Sequence, residues 1–323
     1  MPKPAKPFKT IDEQIKLLQS RGLIITDVNY ARNYLLSNNY YNIINGYSKY
    51  FPRDGEQYIN NTTFEEVSRL YLFDKEIKQS FFRAIITVES HLKAIFAHRF
   101  AEMYPGIPYA YLNINCYDPQ NSLSVISTIS KVSGIINRYN SQRQRQSSIY
   151  HYIHTYNDLP IWVLVNYLDF GEVRFMLNAS TKQLQNKVAK DMQAFITQHI
   201  PNAGIFPLET MISFLTNINE VRNICAHNNR LLDFKCHQDS KYWRPLHAKY
   251  NISSNLKRDD VYSVFLSMQC FLSRSEYGNL HNSIRKLMNN HLKNHLTSVS
   301  QNNILGALGF PNEWNFIVNK ISQ

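Results

Sequence analysis

From Thr63 to Tyr104 the chain carries one uninterrupted helical pattern, and few folds can accommodate it. Val67, Leu70, Phe73, Ile77, Phe81, Ile85, Val88, Leu92 and Phe96 return every three or four positions, a period that places them on one helical face. Thr63-Phe64-Glu65-Glu66 has the spacing of a capping box, and Tyr104-Pro105-Gly106 supplies the stop. The pattern predicts one long helix, or two nearly collinear ones, ending near Met103. A face of that length must be covered by other helices. Glycine is scarce, at 10 of 323 residues, and the remaining apolar runs also have helical rather than alternating period, so the expected class is all-α.

Other segments fit that class. Residues 1–9 are Pro-rich and basic and read as an unstructured arm. A helix from about Thr10 stops at Gly22, and Asp27 caps a second one. The Tyr- and Asn-dense stretch from Tyr40 to Pro52 has two readings, rings that stack on bases or rings that pack at a domain edge. Residues 104–120 form a loop, followed by a polar helix from Leu123 to Tyr139. The apolar run Pro160–Phe170 reads as a core helix stopped by Gly171, and a further helix spans Thr181–His199. Beyond a polar connection from Asp233 to Asp259 come an apolar helix, Val261–Leu272, and a basic helix carrying Ile284, Leu287 and His291. The expected division is an arm (1–9), an N-terminal helical, Tyr-rich region (10–60), a helical core (61–235) and a C-terminal helical extension (236–323).

The 35 basic residues against 24 acidic ones leave a net charge of +11, which favours a polyanionic partner, nucleic acid first. Cys116, Cys225, Cys236 and Cys270 show no Cys-x-x-Cys pairing, which fits reduced thiols in the cytoplasm and argues against a zinc ribbon. No stretch reads as a signal peptide or as a membrane span. His281, His291 and His295 lack the convergent partners of a metal site, and no Gly-rich phosphate loop or Gly-x-Ser-x-Gly elbow occurs. Neither metal nor cofactor is expected.

The polar residues that most demand explanation lie in Asn219-Glu220-Val221-Arg222-Asn223-Ile224-Cys225-Ala226-His227-Asn228-Asn229-Arg230-Leu231. They follow the apolar stripe Met211, Phe214, Leu215, Ile218 and Val221, and polar groups there are costly to bury. Asn219, Asn223 and His227, four apart, would share one face of a regular helix, with Glu220 at its border. Arg222 would sit about 140° round from His227, within reach of a long side chain. The bare Arg-x(4–6)-His spacing recurs at Arg145/His151, Arg230/His237, Arg274/His281 and Arg285/His291, so the surroundings rather than the spacing single out Arg222 and His227. Cys225 reads as a small buried hydrophobe. Arg143 and Arg145, in an Arg/Gln run, are either phosphate contacts or an ordinary solvated loop.

In order along the chain, four blocks carry a resemblance. They are Asp12–Leu18 with Gly22-Leu23 and the Asn39-Tyr40-Tyr41…Gly46-Tyr47 segment; Tyr71-Leu72-Phe73-Asp74-Lys75 with the helix through Glu89 and Lys93; Leu159-Pro160-Ile161-Trp162 to Phe170-Gly171; and Arg222-Asn223-Ile224-Cys225-Ala226-His227-Asn228-Asn229-Arg230-Leu231. Together they resemble the Abi-like abortive infection proteins of bacteria (AbiD/AbiF type), whose core is similar to the HEPN helical ribonucleases. The resemblance implies a HEPN-like helical bundle with N- and C-terminal helical extensions, a phage-defence endoribonuclease, and a homodimer that pairs two Arg-x(4)-His helices. It also implies a structured small non-coding RNA as partner and regulator. Arg222, Asn223 and His227 would be catalytic, Arg230, Arg143 and Arg145 would bind RNA, and Glu89 and Glu220 would support them. Glu89 would orient Arg222, or else be a structural carboxylate. The alternative is a catalytically silent RNA-binding regulatory protein. The C-terminal 88 residues match less clearly, apart from Gly309-Phe310-Pro311…Trp314.

Overall fold

The computed structural model describes residues 7–293 and 295–322 and is all-α apart from one small hairpin. The helices in chain order are α1 (Ile11–Ser20), α2 (Val28–Asn38), α3 (Phe64–Met103), α4 (Ser122–Tyr139), α5 (Ser148–Tyr156), α6 (Ile161–Leu164), α7 (Phe170–Ala179), α8 (Lys182–His199), α9 (Leu208–Ala226), α10 (Arg244–His247), α11 (Val261–Ser267), α12 (Arg274–His291), α13 (Gln301–Ala307) and α14 (Trp314–Ile317). The hairpin pairs β1 (Arg53–Asp54) with β2 (Gln57–Tyr58) in antiparallel register. Of the proposed basic arm, residues 1–6 lie outside the described residues, and Pro7, Phe8 and Lys9 are exposed. No helix among the described residues is long and apolar enough to cross a membrane.

Two compact units interleave along the chain. Of the described residues, the first takes 7–81, 224–234 and those of 278–322. Its α1 starts at a capping box between Thr10 and Glu13 and packs on α2, which Asp27 caps through the Tyr30 N–H. Gly22, at φ +77°, turns the chain between them, and a Cβ there would meet the Tyr58 carbonyl oxygen at 2.9 Å. Ile15, Leu18, Leu35, Phe64, Phe73 and Ile77 are buried in this unit. Each contributes about 1.5–3 kcal/mol by leaving water.

The same unit holds the start of α3. Thr63 and Glu66 form the reciprocal capping box there. Glu66 also accepts from the N–H groups of Thr297 and Ser298 and from both their hydroxyls, so one carboxylate fastens the helix start to the 297–298 turn.

The second unit takes residues 82–223 and 235–277. Phe96, Phe100, Val132, Phe170, Met192, Phe214 and Phe271 lie in its interior. Arg99 clamps α3 to α8 through a bidentate pair with Asp191 at 2.5 and 2.7 Å. The run read as one helix ending at Gly171 is in fact broken. After α6 and a 3₁₀ turn (Val165–Tyr167) the backbone becomes extended at Leu168, and Asp169 begins α7. The competing signal was a second capping box, Asp169 with Glu172, which makes Gly171 an early residue of a new helix. A Cβ at Gly171 would stand 3.2 Å from Asp169 Oδ1 and 3.8 Å from Asn219 Oδ1. The glycine is there for close approach.

Candidate functional site

Helix α9 carries the polar segment. Met211, Phe214, Leu215, Ile218 and Val221 are fully buried along one stripe. Asn217, on the same stripe, is 1% exposed, and its Nδ2 donates to the Gln238 carbonyl at 3.0 Å. Glu220 Oε2 accepts both the backbone N–H and the Nδ1 of His237, at 2.9 and 2.8 Å. These two side chains hold the returning chain at residues 237–238 against α9.

Arg222 is half-buried and Asn223 exposed. The Arg222 Nη1 lies 3.4 Å from Asn223 Oδ1, while its buried Nε has no hydrogen-bond partner. Cys225 is partly buried, and desolvation pushes its thiol up to about 12, which suits a hydrophobe and not a nucleophile.

The helix ends one residue earlier than an unbroken Asn219/Asn223/His227 face would require. Ala226 is the last helical residue. Asn228 adopts φ +54°, its N–H donates to Cys225 O, and the Asn229 N–H donates to Ile224 O. This is the paired bonding of a Schellman cap, with asparagine in the left-handed position and His227 as the C-cap residue. His227 is exposed, and its imidazole makes no hydrogen bond among the described residues.

The turn after His227 is held by Lys78, which the sequence reading did not name, and by Asp74, which it named only within a resembling block. Lys78 Nζ donates to Asn228 Oδ1 at 2.9 Å and to Asn229 O at 3.1 Å. It is paired with Asp74 at 3.0 Å, and both side chains are almost wholly buried. Asp74 Oδ1 accepts the N–H groups of Leu231 and Leu232, and its Oδ2 accepts the Tyr47 hydroxyl at 2.7 Å. Burial and the neighbouring Asp74 carboxylate hold the Tyr47 hydroxyl far above its ordinary range, so it stays a donor. Arg230 donates to Gly46 O at 2.7 Å and to Leu232 O at 3.1 Å. Asp233 receives Lys49 and the Tyr50 hydroxyl. Three of the blocks that carry the resemblance, around residues 39–47, 71–75 and 222–231, therefore meet in one hydrogen-bonded knot. A carboxylate and a lysine one turn apart in an apolar helix were the signal that could have found it.

The remaining candidates lie elsewhere. Glu89 pairs with Lys93 at 2.6 Å rather than with Arg222, and its Oε2 is buried without a partner. Arg143 and Arg145 are exposed on the turn between α4 and α5, where the Arg145 Nε donates to Gln142. Among the described residues, no hydrogen bond or ion pair ties them to α9. Among the described residues, no three His, Cys, Asp or Glu side chains converge as metal ligands would.

These features define a helical protein in which the polar end of α9 forms a cap and, among the described residues, leaves the His227 imidazole and the Arg222 Nε without a hydrogen-bond partner. A family model described as Abi-like protein matches residues 33–233, and the chain belongs to that family. Membership carries a role in abortive infection, a form of phage defence. No curated protein and no solved structure matches the chain.

Proposed function

We propose that the protein is an endoribonuclease of phage defence with a HEPN-like core, in which Arg222, Asn223 and His227 form the catalytic group. One contrast carries this reading. Glu220, Arg230 and the Asn228 Oδ1 are spent on holding the fold, whereas among the described residues the His227 imidazole and the Arg222 Nε have no hydrogen-bond partner, although they belong to the same segment. Polar groups left without structural partners call for an explanation, and a role in chemistry supplies one.

RNA brings its own nucleophile, the 2′-hydroxyl next to the scissile phosphate. His227 takes the 2′-hydroxyl proton or donates one to the departing 5′-oxygen. The oxygen attacks phosphorus, the P–O5′ bond breaks, and the products carry a 2′,3′-cyclic phosphate and a 5′-hydroxyl. Arg222 stabilises the charge that builds on the phosphoryl oxygens, and Asn223 orients the phosphate or the imidazole. One chain supplies one such group, so a homodimer would provide an acid and a base together. Arg143 and Arg145, exposed on their turn, suit phosphate contacts away from the cleaved bond. A structured small RNA would hold the enzyme in check.

Incubation of total RNA with wild type, Arg222→Ala and His227→Ala, in EDTA, tests the assignment. Cyclic-phosphate ends from wild type alone are expected, with at least a hundredfold loss in either variant. Cleavage retained by His227→Ala at the wild-type rate overturns the catalytic role. Salt-sensitive RNA binding without cleavage by wild type would instead identify a silent RNA-binding regulator.

A further inference from the structure

The structure assigns a nucleotide-binding function to an open polar cleft of about 600 Å³ within the first unit, formed by α1, the end of α2 and the chain that follows it, α3 and the turn at Asn228. We propose that it reads one base of the RNA strand beside the scissile phosphate. The proposal rests on the ribonuclease reading for its RNA ligand and for the place of His227 beside the cleft.

The lining is unusual for its amides. Gln14, Asn38, Asn42 and Asn228 face the cleft together with Tyr40 and Lys75. Gln14 gives its Nε2 to the Lys9 carbonyl, which leaves its Oε1 buried without a partner. Asn228 has its Oδ1 bound by Lys78, so its Nδ2 remains available. The Asn42 side chain is exposed and makes no hydrogen bond among the described residues. Lys75 is exposed and has no carboxylate partner there, although the next lysine on α3 is locked into an ion pair. Asn38 spends its Nδ2 on Tyr34 O and Ser37 Oγ, so Asn42 is the amide that offers a donor and an acceptor side by side to the edge of an unstacked base, with the Asn228 Nδ2 as a further donor and the Lys75 ammonium for a phosphate. Asn228 directly follows His227, so the cleft opens one residue from the imidazole that the cleavage reaction uses. A bound base there would decide which phosphate reaches His227.

Binding of fluorescent 2′-O-methyl 12-mers of A, C or U to the full-length protein tests this without cleavage, because these strands lack the nucleophile. Wild type is expected to separate the three by about tenfold or more, the discrimination that a two-point base contact supplies. Asn42→Ala should compress the ratios to within about threefold. Lys75→Gln should weaken all three alike, lower the salt slope by about one, and be rescued by Lys75→Arg. Both positions are exposed, and unchanged melting temperatures would verify that the variants fold. Equal binding of the three strands by wild type, or ratios and affinities unchanged in both variants, overturns the cleft as a base reader while leaving the ribonuclease reading intact. Failure to bind any of them at low salt overturns the RNA reading, and this one with it.

Discussion

Asp74 shows how much a single residue contributes to this candidate site without touching it. Its carboxylate, almost wholly buried, accepts two backbone N–H groups, a tyrosine hydroxyl and a lysine, and so holds the turn that follows His227. Breaking a buried pair by removing one member leaves the other charge unpaired, at a cost of about 3–5 kcal/mol, whereas removing both costs less. Asp74→Ala should lower the urea midpoint by an amount matching about 3 kcal/mol, and Asp74→Leu combined with Lys78→Leu should recover part of the loss. A double variant no more stable than the single one would show that the backbone bonds matter more than the unpaired lysine. At this scale the sequence was partly legible. Arg222, Asn223 and His227 stood out because polar residues follow directly on an apolar stripe. The fate of Arg230 could not, because its acceptors are backbone carbonyls, one of them at Gly46, that no side-chain pattern reports.

Helix ends decide the next scale. The reciprocal Thr63–Glu66 cap was readable from spacing alone, but the 297–298 turn that also binds Glu66 was not, since it lies some 230 residues away. Burial opposes the Glu66 charge, but the N–H groups of Ser298, Thr63 and Thr297 outweigh it and hold the carboxyl below its ordinary 4.5. The sign follows from linkage. A carboxylate depressed in the fold contributes stability that is fully present above 4.5 and is lost as the pH falls through the folded value. Glu66→Gln should therefore be less stable than wild type at pH 7, and the gap should close below pH 4.5 in paired urea titrations. A gap independent of pH would assign the effect to lost packing. The break before α7 has the same kind of cause. Asp169 and Glu172 satisfy each other's backbone N–H groups, and that local bonding prevailed over an apolar run that looked continuous.

For the whole molecule, the proposed mechanism asks for two protons to move while each chain supplies one imidazole in the Arg-x(4)-His segment. Specific RNA-cleaving activity is therefore expected to fall on dilution as a homodimer dissociates, in step with the sedimentation coefficient. Constant specific activity from a monomer would remove the composite site. The all-α class and most helix positions were determined by the sequence itself, because helical periodicity, caps and scarce glycine act within a few residues of one another. The excess of positive charge and the Arg222–His227 segment were equally local. The tertiary structure alone decided which polar groups are consumed and which are left over. Residues 46, 74 and 78 reach residues 228–232 only after the helices have packed, and hydrogen bonds across 150 positions or more leave no periodic trace. Those bonds are what separate a structural Arg230 from an uncommitted His227.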